Sequence, residues 1–465
     1  MYFANYTMLD DGLRHIIFAM NKDEMYSWGN VYPKSLFSNS YDPWFMWHNL
    51  LKVIGDVVGI IHIHQVINIL VFFSLSILFD VYIRRFITIE FDALLIVIVL
   101  MLSYFFSERY LNVRPDNLSG LYVMLALLLP NKVIPVFIIT ILYAPFYYLF
   151  FIYTGAIGLT YIVQKKYLAL LGAFSASVCI LLFHLWYGES EYITTIIQIF
   201  GDQGLRDGLN VGEGAPLFSF LTGISYIFIV PIIVGMIGVL LYFKYKWFEK
   251  NALAIFLLIT SILWIGQVRY FLQFTPLIIL LVLMLVLNSN KSSWVYSIRW
   301  IQYRFTWLLR DLKASKLAVI ILIPYTIVIA LFLNMNDESE ANLKKFDFLK
   351  EDRFNGKTIL SNRMDFARYF GQYQNPSLKF VPSCAIGWFS KDNLEMRDIY
   401  IRLQKNKRVS EDELSALAQY VDADYYFHRS HSKISKLSFE KMEILGLIPM
   451  EILQEYIIFK VEKSD

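Results

Sequence analysis

The sequence predicts a polytopic α-helical membrane protein of about ten spans with a C-terminal soluble α/β domain. Three observations predict it. Of 465 residues, 57% are apolar and only 17% charged, against roughly 25% charged in soluble globular domains. The charges are also segregated: 20 of the 42 Lys/Arg and 21 of the 39 Asp/Glu fall after Met335, the asymmetry of an apolar body joined to a polar domain. Finally, long apolar runs recur along the body, and about 18–25 such residues at ~1.5 Å each cross a hydrocarbon layer of about 30 Å. A soluble enzyme is excluded at this step.

The clearer spans are Val57–Phe79, Ala93–Ser107, Tyr167–Tyr187, Phe218–Phe243, Ala252–Gly266, Phe271–Leu287 and Leu317–Leu333. Leu118–Val163 is a nearly continuous apolar stretch broken at Pro130-Asn131-Lys132 and at Pro145. Cationic loops face the cytoplasm: Arg84-Arg85, Lys165-Lys166, Lys244/Lys246/Lys250 and the run Lys291–Lys316. The acid-bearing segments Glu108–Asp116 and Gly188–Pro216, and everything after Asn334, then fall outside. These assignments agree only if Leu118–Val163 crosses an odd number of times, and three passes are expected, two of them short and Pro-broken. Protein must pack around such broken spans to satisfy their backbone. Residues 1–50 would then be outside with no helix to carry them across, so a first span is expected upstream of this sequence.

Residues 1–54 therefore read as an extracytoplasmic loop with an interfacial helix at Leu9–Asn21, 55–334 as the multi-span body, and 335–465 as the extracytoplasmic α/β domain. In that domain Lys357–Ser361, Leu378–Val381, Ala423–His428 and Tyr456–Val461 read as strands. Asp365–Gln372, Asn393–Gln404, Glu411–Tyr420 and Lys441–Leu445 read as helices. The net charge of +3 is too small for a nucleic-acid partner. Cys179 and Cys384 form no disulfide framework and read as buried thiols. That absence, with Ile/Lys/Asn-rich usage, points to a bacterial inner membrane.

Three polar clusters could carry chemistry. Asp10-Asp11 is followed by Arg14 and His15, and a helix here puts Asp11 and His15 on one face. The pair could N-cap that helix. It could equally act as a general base, since partial desolvation raises a carboxylate pKa. Glu108–Asp116 holds Arg114-Pro115-Asp116, where Arg114 could pair with a phosphate and Asp116 orient it; a plain solvated loop explains the same residues. Arg269, followed by Tyr270, stands alone between two very apolar spans, either snorkelling to lipid headgroups or binding an anion. The amphipathic, glycine-containing Gly188–Pro216 segment could form a lid or an ordinary surface loop. His62 and His64 read as helix contacts.

In this order the pieces resemble the GT-C superfamily of integral-membrane glycosyltransferases. Its members carry an acidic pair in the first extracytoplasmic loop, matched by Asp10-Asp11. Bacterial members often carry an Arg-Pro-Asp turn, matched by Arg114-Pro115-Asp116. Many end in an extracytoplasmic α/β domain, matched by Asp337–Asp465. The resemblance implies inverting transfer of a sugar from a polyprenyl-phosphate donor to a lipid or glycan acceptor at the outer membrane face. Asp10 and Asp11 would be the catalytic pair, and Arg114, Asp116, Arg269, His15 and Tyr270 would bind substrate. The Leu142–Tyr153 segment could line a groove for the prenyl chain. Paired carboxylates with His15 could hold a divalent metal, although none is required. Competing readings are a lipid-linked glycan transporter or flippase, which should place ionisable groups at mid-membrane, and a non-catalytic glycan-assembly subunit.

Overall fold

The computed structural model of the chain describes residues 11–20, 44–59, 62–86, 114–147, 149–186, 251–266, 346–362, 377–381, 393–404, 408–429, 438–453 and 456–463, with isolated positions at 274–281 and 374–375. Ala93–Ser107, Phe218–Phe243, Leu317–Leu333, most of Phe271–Leu287, Gly188–Pro216, Asp365–Gln372 and Cys384 lie outside the described residues. The chain forms two compact units. Among the described residues one takes 53–183 and 251–281, the other 11–52, 184–186 and 346–463.

The described elements begin with helices α1 (Asp11–Met20) and α2 (Phe45–Val58), followed by α3 (Ile63–Phe86). The expected span Val57–Phe79 is therefore corrected to two helices. Gly59 breaks the run with φ +82°, a conformation that glycine adopts freely and that hydropathy does not register. The body continues with α4 (Asn117–Leu128), α5 (Val133–Tyr143, running into a 3₁₀ turn at Ala144–Phe146), α6 (Phe150–Val163), α7 (Tyr167–Trp186) and α8 (Ala252–Gly266).

Among the described residues, Val66–Arg85 of α3 and Tyr167–His184 of α7 are long and apolar enough to cross a membrane. Of these windows 44% and 33% is buried. Ile69, Leu70, Phe73 and Ile77 on α3, and Leu168, Leu171, Phe174 and Leu182 on α7, are exposed. Exposed apolar side chains along helices of this length suit a lipid surround. Cys179 is exposed on the same helix as the second group, which corrects its reading as a buried thiol. The remaining helices of the body run 11–15 residues, short of a full crossing, so the described residues do not contain ten full spans.

Polar rungs fix which ends of these helices meet. Arg85 at the end of α3 donates to the Leu128 carbonyl at the end of α4 (2.5 Å), so the two run parallel. The Asn131 side chain after α4 accepts from the Ala169 N–H in the first turn of α7 (3.0 Å). Tyr82 donates to Asn251 Oδ1 (3.1 Å) and accepts from the Leu253 N–H (2.9 Å), pinning the start of α8 to the same end. At the opposite end Ser119, near the start of α4, bonds Tyr143 at the end of α5 (2.6 Å). Helices α4, α5 and α6 thus alternate in direction. Helices α5 and α7 approach closely: a Cβ at Gly172 would collide with the Val133 carbonyl oxygen.

In the second unit, β1 (Thr358–Ser361), β2 (Lys379–Val381), β3 (Tyr425–Arg429), β4 (Leu447–Leu453) and β5 (Tyr456–Val461) form one sheet in the order β2-β1-β3-β5-β4. The pairs β2·β1 and β1·β3 are parallel, whereas β3·β5 and β5·β4 are antiparallel. One face packs against α9 (Leu394–Gln404), α10 (Glu411–Tyr420) and α11 (Phe439–Ile444) through Tyr400, Leu403, Leu417, Met442, Tyr426 and Phe459. The other is covered by Phe346, Leu349 and Phe354 of two 3₁₀ turns, which meet Ile359, Phe427 and Ile458. A capping box starts α10: Ser410 accepts from the Glu413 N–H while the Glu413 carboxylate accepts from the Ser410 N–H. The Arg402 guanidinium beside Glu413, with that backbone bond, pulls its carboxyl down to about 2. Strand β4 is an addition to the expected pattern. Pro449 and a register shift between Pro449 and Glu451 disguise it, and both are tolerated because it lies at the sheet edge.

On the helix-covered face His428 is buried. Its Nδ1 lies within hydrogen-bond distance of Asn362 Nδ2 (3.2 Å) and the Tyr426 hydroxyl (2.9 Å). Burial holds the imidazole neutral and lowers its pKa to about 4.

Two outcomes are expected. Gly172→Val should separate α5 from α7 and lower the thermal midpoint of the detergent-solubilised chain by several degrees, whereas a conservative exposed change, Leu171→Ile, should not. Because the unfolded chain takes the His428 proton first, the stabilisation is fully present above about pH 6.5 and is lost as pH falls from there toward 4, at no more than about 1.4 kcal/mol per pH unit. His428→Gln should flatten that slope in thermal unfolding followed from pH 7.5 to 4.5, and an unchanged slope would refute it.

Candidate functional site

The sequence-predicted residues that the structure describes fall into two groups, one in each unit. In the first, Pro115 and Asp116 open α4. The Asn117, Leu118 and Ser119 N–H groups donate to the carbonyls of Arg114, Pro115 and Asp116 (3.1, 3.2 and 3.0 Å), a tight 3₁₀-type start that Pro115 suits because it needs no donor there. Asp116 has helical backbone angles (φ −68°, ψ −15°), and its side chain makes no capping bond. It is 4% exposed and its neighbour Asn117 2%, so the solvated-loop reading does not fit this end of the segment. Glu108–Val113 lie outside the described residues.

Around this turn the bundle supplies hydroxyls. Tyr143 bonds Ser119 and lies within electrostatic reach of Asp116. Its ring stacks on Tyr122 with centroids 4.2 Å apart and planes 9° from parallel. Tyr122 in turn bonds Thr140 (3.0 Å) and Thr154 (3.1 Å). On the outer side of these tyrosines a groove of about 180 Å³ runs between α4 and α5, lined by Leu118, Leu121, Leu125, Ile139, Leu142 and Phe146. The lining is almost wholly apolar. The turn and its hydroxyls are buried, and an apolar groove lies beside them.

In the second unit, α1 carries Asp11 and His15 one turn apart, as the periodicity of Leu9–Asn21 predicts. The side chain of Asp11 is not among those described. His15 is buried, and its Nδ1 lies 2.7 Å from His48 Nε2 on α2. Trp44 meets the His15 ring edge-on at 5.2 Å and Phe18 lies 4.6 Å from the His48 ring. The two imidazoles share one hydrogen-bonding proton, so one of them must present a bare nitrogen to the other. His15 thus commits its Nδ1 to the protein. Among the described residues no three His, Cys, Asp or Glu gather as a metal site.

Asp10, Arg269 and Tyr270 lie outside the described residues. Sequence reasoning missed His48 as the partner of His15 and missed Ser119, Tyr122 and Tyr143. Ser119 and Tyr122 did leave a signal, being polar positions spaced i, i+3 on an otherwise apolar helix. His48 left none, since its partner is 33 residues away.

The sequence matches no protein-family model and no curated protein. Its fold is similar to a solved structure, the archaeal oligosaccharyltransferase AglB from Archaeoglobus fulgidus in complex with an inhibitory peptide and a dolichol-phosphate, at 12% identity and a TM-score of 0.52. The match covers 92% of this chain and 66% of that one, so the chain spans just under two thirds of the length of the structure it resembles. The likeness at this identity is one of fold.

A double-mutant cycle tests the hydroxyl cluster. Ser119→Ala and Tyr143→Phe should each destabilise the solubilised chain by about 1 kcal/mol, and the pair by clearly less than their sum, because each single change strands a buried hydroxyl. Strict additivity in chemical unfolding would show that the bond contributes nothing.

Proposed function

We propose that this chain is an integral-membrane glycosyltransferase of the GT-C type that uses a polyprenyl-phosphate-linked sugar donor. The observation that carries the proposal is the likeness of fold to an oligosaccharyltransferase over 92% of the chain. The lipid-facing helices and the charged turn beside an apolar groove agree with it. The acceptor is a lipid or a glycan, and transfer inverts the anomeric carbon. The body crosses the membrane about ten times, in a bacterial inner membrane, with the reacting groups and the C-terminal domain on the extracytoplasmic side.

In this reading the carboxylate of Asp11 or Asp10 takes the proton of the acceptor hydroxyl, for which it must come within about 3 Å. The hydroxyl oxygen attacks the anomeric carbon as the bond from that carbon to the phosphate oxygen breaks. Negative charge then grows on the leaving lipid phosphate. The guanidinium groups of Arg114 and Arg269 stabilise it, because a fixed cation gains most where charge develops in a water-poor site. Asp116 orients Arg114 from its buried position at the head of α4, and His15 and Tyr270 hold the sugar. The groove beside Tyr122 and Tyr143 takes the first isoprene units. A divalent ion, if used, would sit at Asp10 and Asp11 and neutralise phosphate charge.

Membranes carrying the chain, supplied with a radiolabelled polyprenyl-phosphate sugar, should transfer label to an endogenous acceptor. Asp10→Asn and Asp11→Asn should each be tested at equal membrane abundance, and one or both should lower transfer by at least about a hundredfold. Arg269→Ala should instead raise the donor concentration needed for half-maximal rate. Full turnover in both aspartate variants would remove the assigned base.

A further inference from the structure

The end of the body opposite Asp116 gathers positive charge from three connections. Arg85 closes α3, Lys132 stands between α4 and α5, and Lys165-Lys166 form the turn from α6 to α7. The Arg85 bond to Leu128 and the Asn131 bond to Ala169 draw these connections together. The Lys166 ammonium lies 5.9 Å from the Tyr161 ring centroid. Lys165 holds a left-handed backbone (φ 56°), and the turn is fixed by bonds from the Lys165 N–H to the Ile162 carbonyl and from the Lys166 N–H to the Tyr161 carbonyl.

Among the described residues none of these four cations forms an ion pair, while the nearby Asp80 is held by Arg84 (2.8 Å). The Leu128 carbonyl explains Arg85 alone, leaving three ammonium groups with no ion-pair partner among the described residues. The crowding has an energetic cost: burial, and next the positive charge of Arg85, lower the Lys166 pKa. The cluster also borders exposed apolar side chains. Ile162 and Val163 at the end of α6 and Leu168 at the start of α7 are about half exposed. Unneutralised cations beside lipid-facing hydrocarbon match one class of ligand, an anion that carries its own apolar chains. A free phosphate would leave that apolar rim unused.

We propose that Arg85, Lys132, Lys165 and Lys166 form a binding site for the phosphate headgroup of an anionic phospholipid, whose acyl chains lie along Ile162, Val163 and Leu168. Basic pockets between membrane helices are known headgroup sites, and each cation near such a surface contributes about 1 kcal/mol, or fivefold in affinity. The proposal stands whether or not the chain transfers sugar.

The test is native mass spectrometry of the delipidated full chain, titrated with dioleoylphosphatidylglycerol or dioleoylphosphatidylcholine. The glycerol lipid should bind at least about tenfold more tightly. Lys132→Gln/Lys165→Asn/Lys166→Gln should weaken it about a hundredfold, the product of three fivefold losses, and leave the choline lipid unchanged; asparagine tolerates the left-handed backbone at 165. Should the triple variant not fold, Lys132→Gln alone, on an exposed connection, should lose about fivefold, and Lys132→Arg should retain binding. Equal affinity for the two lipids, an unaffected Lys132→Gln, or thermal protection by inorganic phosphate matching that of the glycerol lipid would each overturn the site.

Discussion

Within an apolar surround a buried polar group must find its partner inside the protein, because no water competes for it and none rescues it. The body of this chain is organised by that constraint. The Tyr82 hydroxyl donates to Asn251 Oδ1, and both oxygens accept from the Leu253 N–H at the start of α8. Tyr161 reaches the Ala126 carbonyl (2.7 Å), and Tyr122 joins Thr140 and Thr154. Ser76, Thr160 and Thr260 fold back onto carbonyls of their own helices. Each bond between helices links defined levels on two of them, so a slide by one turn would strand several hydroxyls together. Apolar contact between Leu and Ile faces has no such register. The polar rungs make short helices stack in one order and one set of directions.

Those directions account for the segregation of charge. With α4 and α6 running parallel and α5 and α7 reversed, the connections carrying Lys132 and Lys165-Lys166 share an end with Arg85, while Arg114 and Asp116 stand at the other. A cationic end is then built from a few loop residues and needs no charge along the helices. The proposed lipid site follows from this polarity.

Much of this was legible in the sequence because hydropathy and caps report directly on local geometry. Helix α8 falls where its apolar run lies, and α7 ends within one residue of its predicted limit. The Ser410 and Glu413 spacing announces α10, and Tyr456–Val461 is the strand its β-branched and aromatic residues predict. What escaped was information that composition does not hold. Gly59 is one more small residue in an apolar run until its backbone angle is known. Strand β4 carries a proline that argues against a strand unless its edge position is known. The His15–His48 pair depends on tertiary folding alone. Of the candidate site, Arg114-Pro115-Asp116 and the Asp11–His15 spacing were readable as local patterns, but the burial of Asp116 and its tyrosine surroundings required the packing of α5 and α6.

The proline in β4 has a consequence for the rim of the C-terminal sheet. Beyond β4 no neighbour completes the ladder among the described residues, and Ile452 and Met450 are exposed there. An open, apolar rim of this kind invites another chain to anneal to it. Pro449 offers no amide hydrogen and the adjoining bulge spoils the spacing, so an incoming strand could not zip along the border in register. The domain is thereby protected against polymerising through its own margin, a safeguard that matters most in the crowded, two-dimensional confinement of a membrane surface.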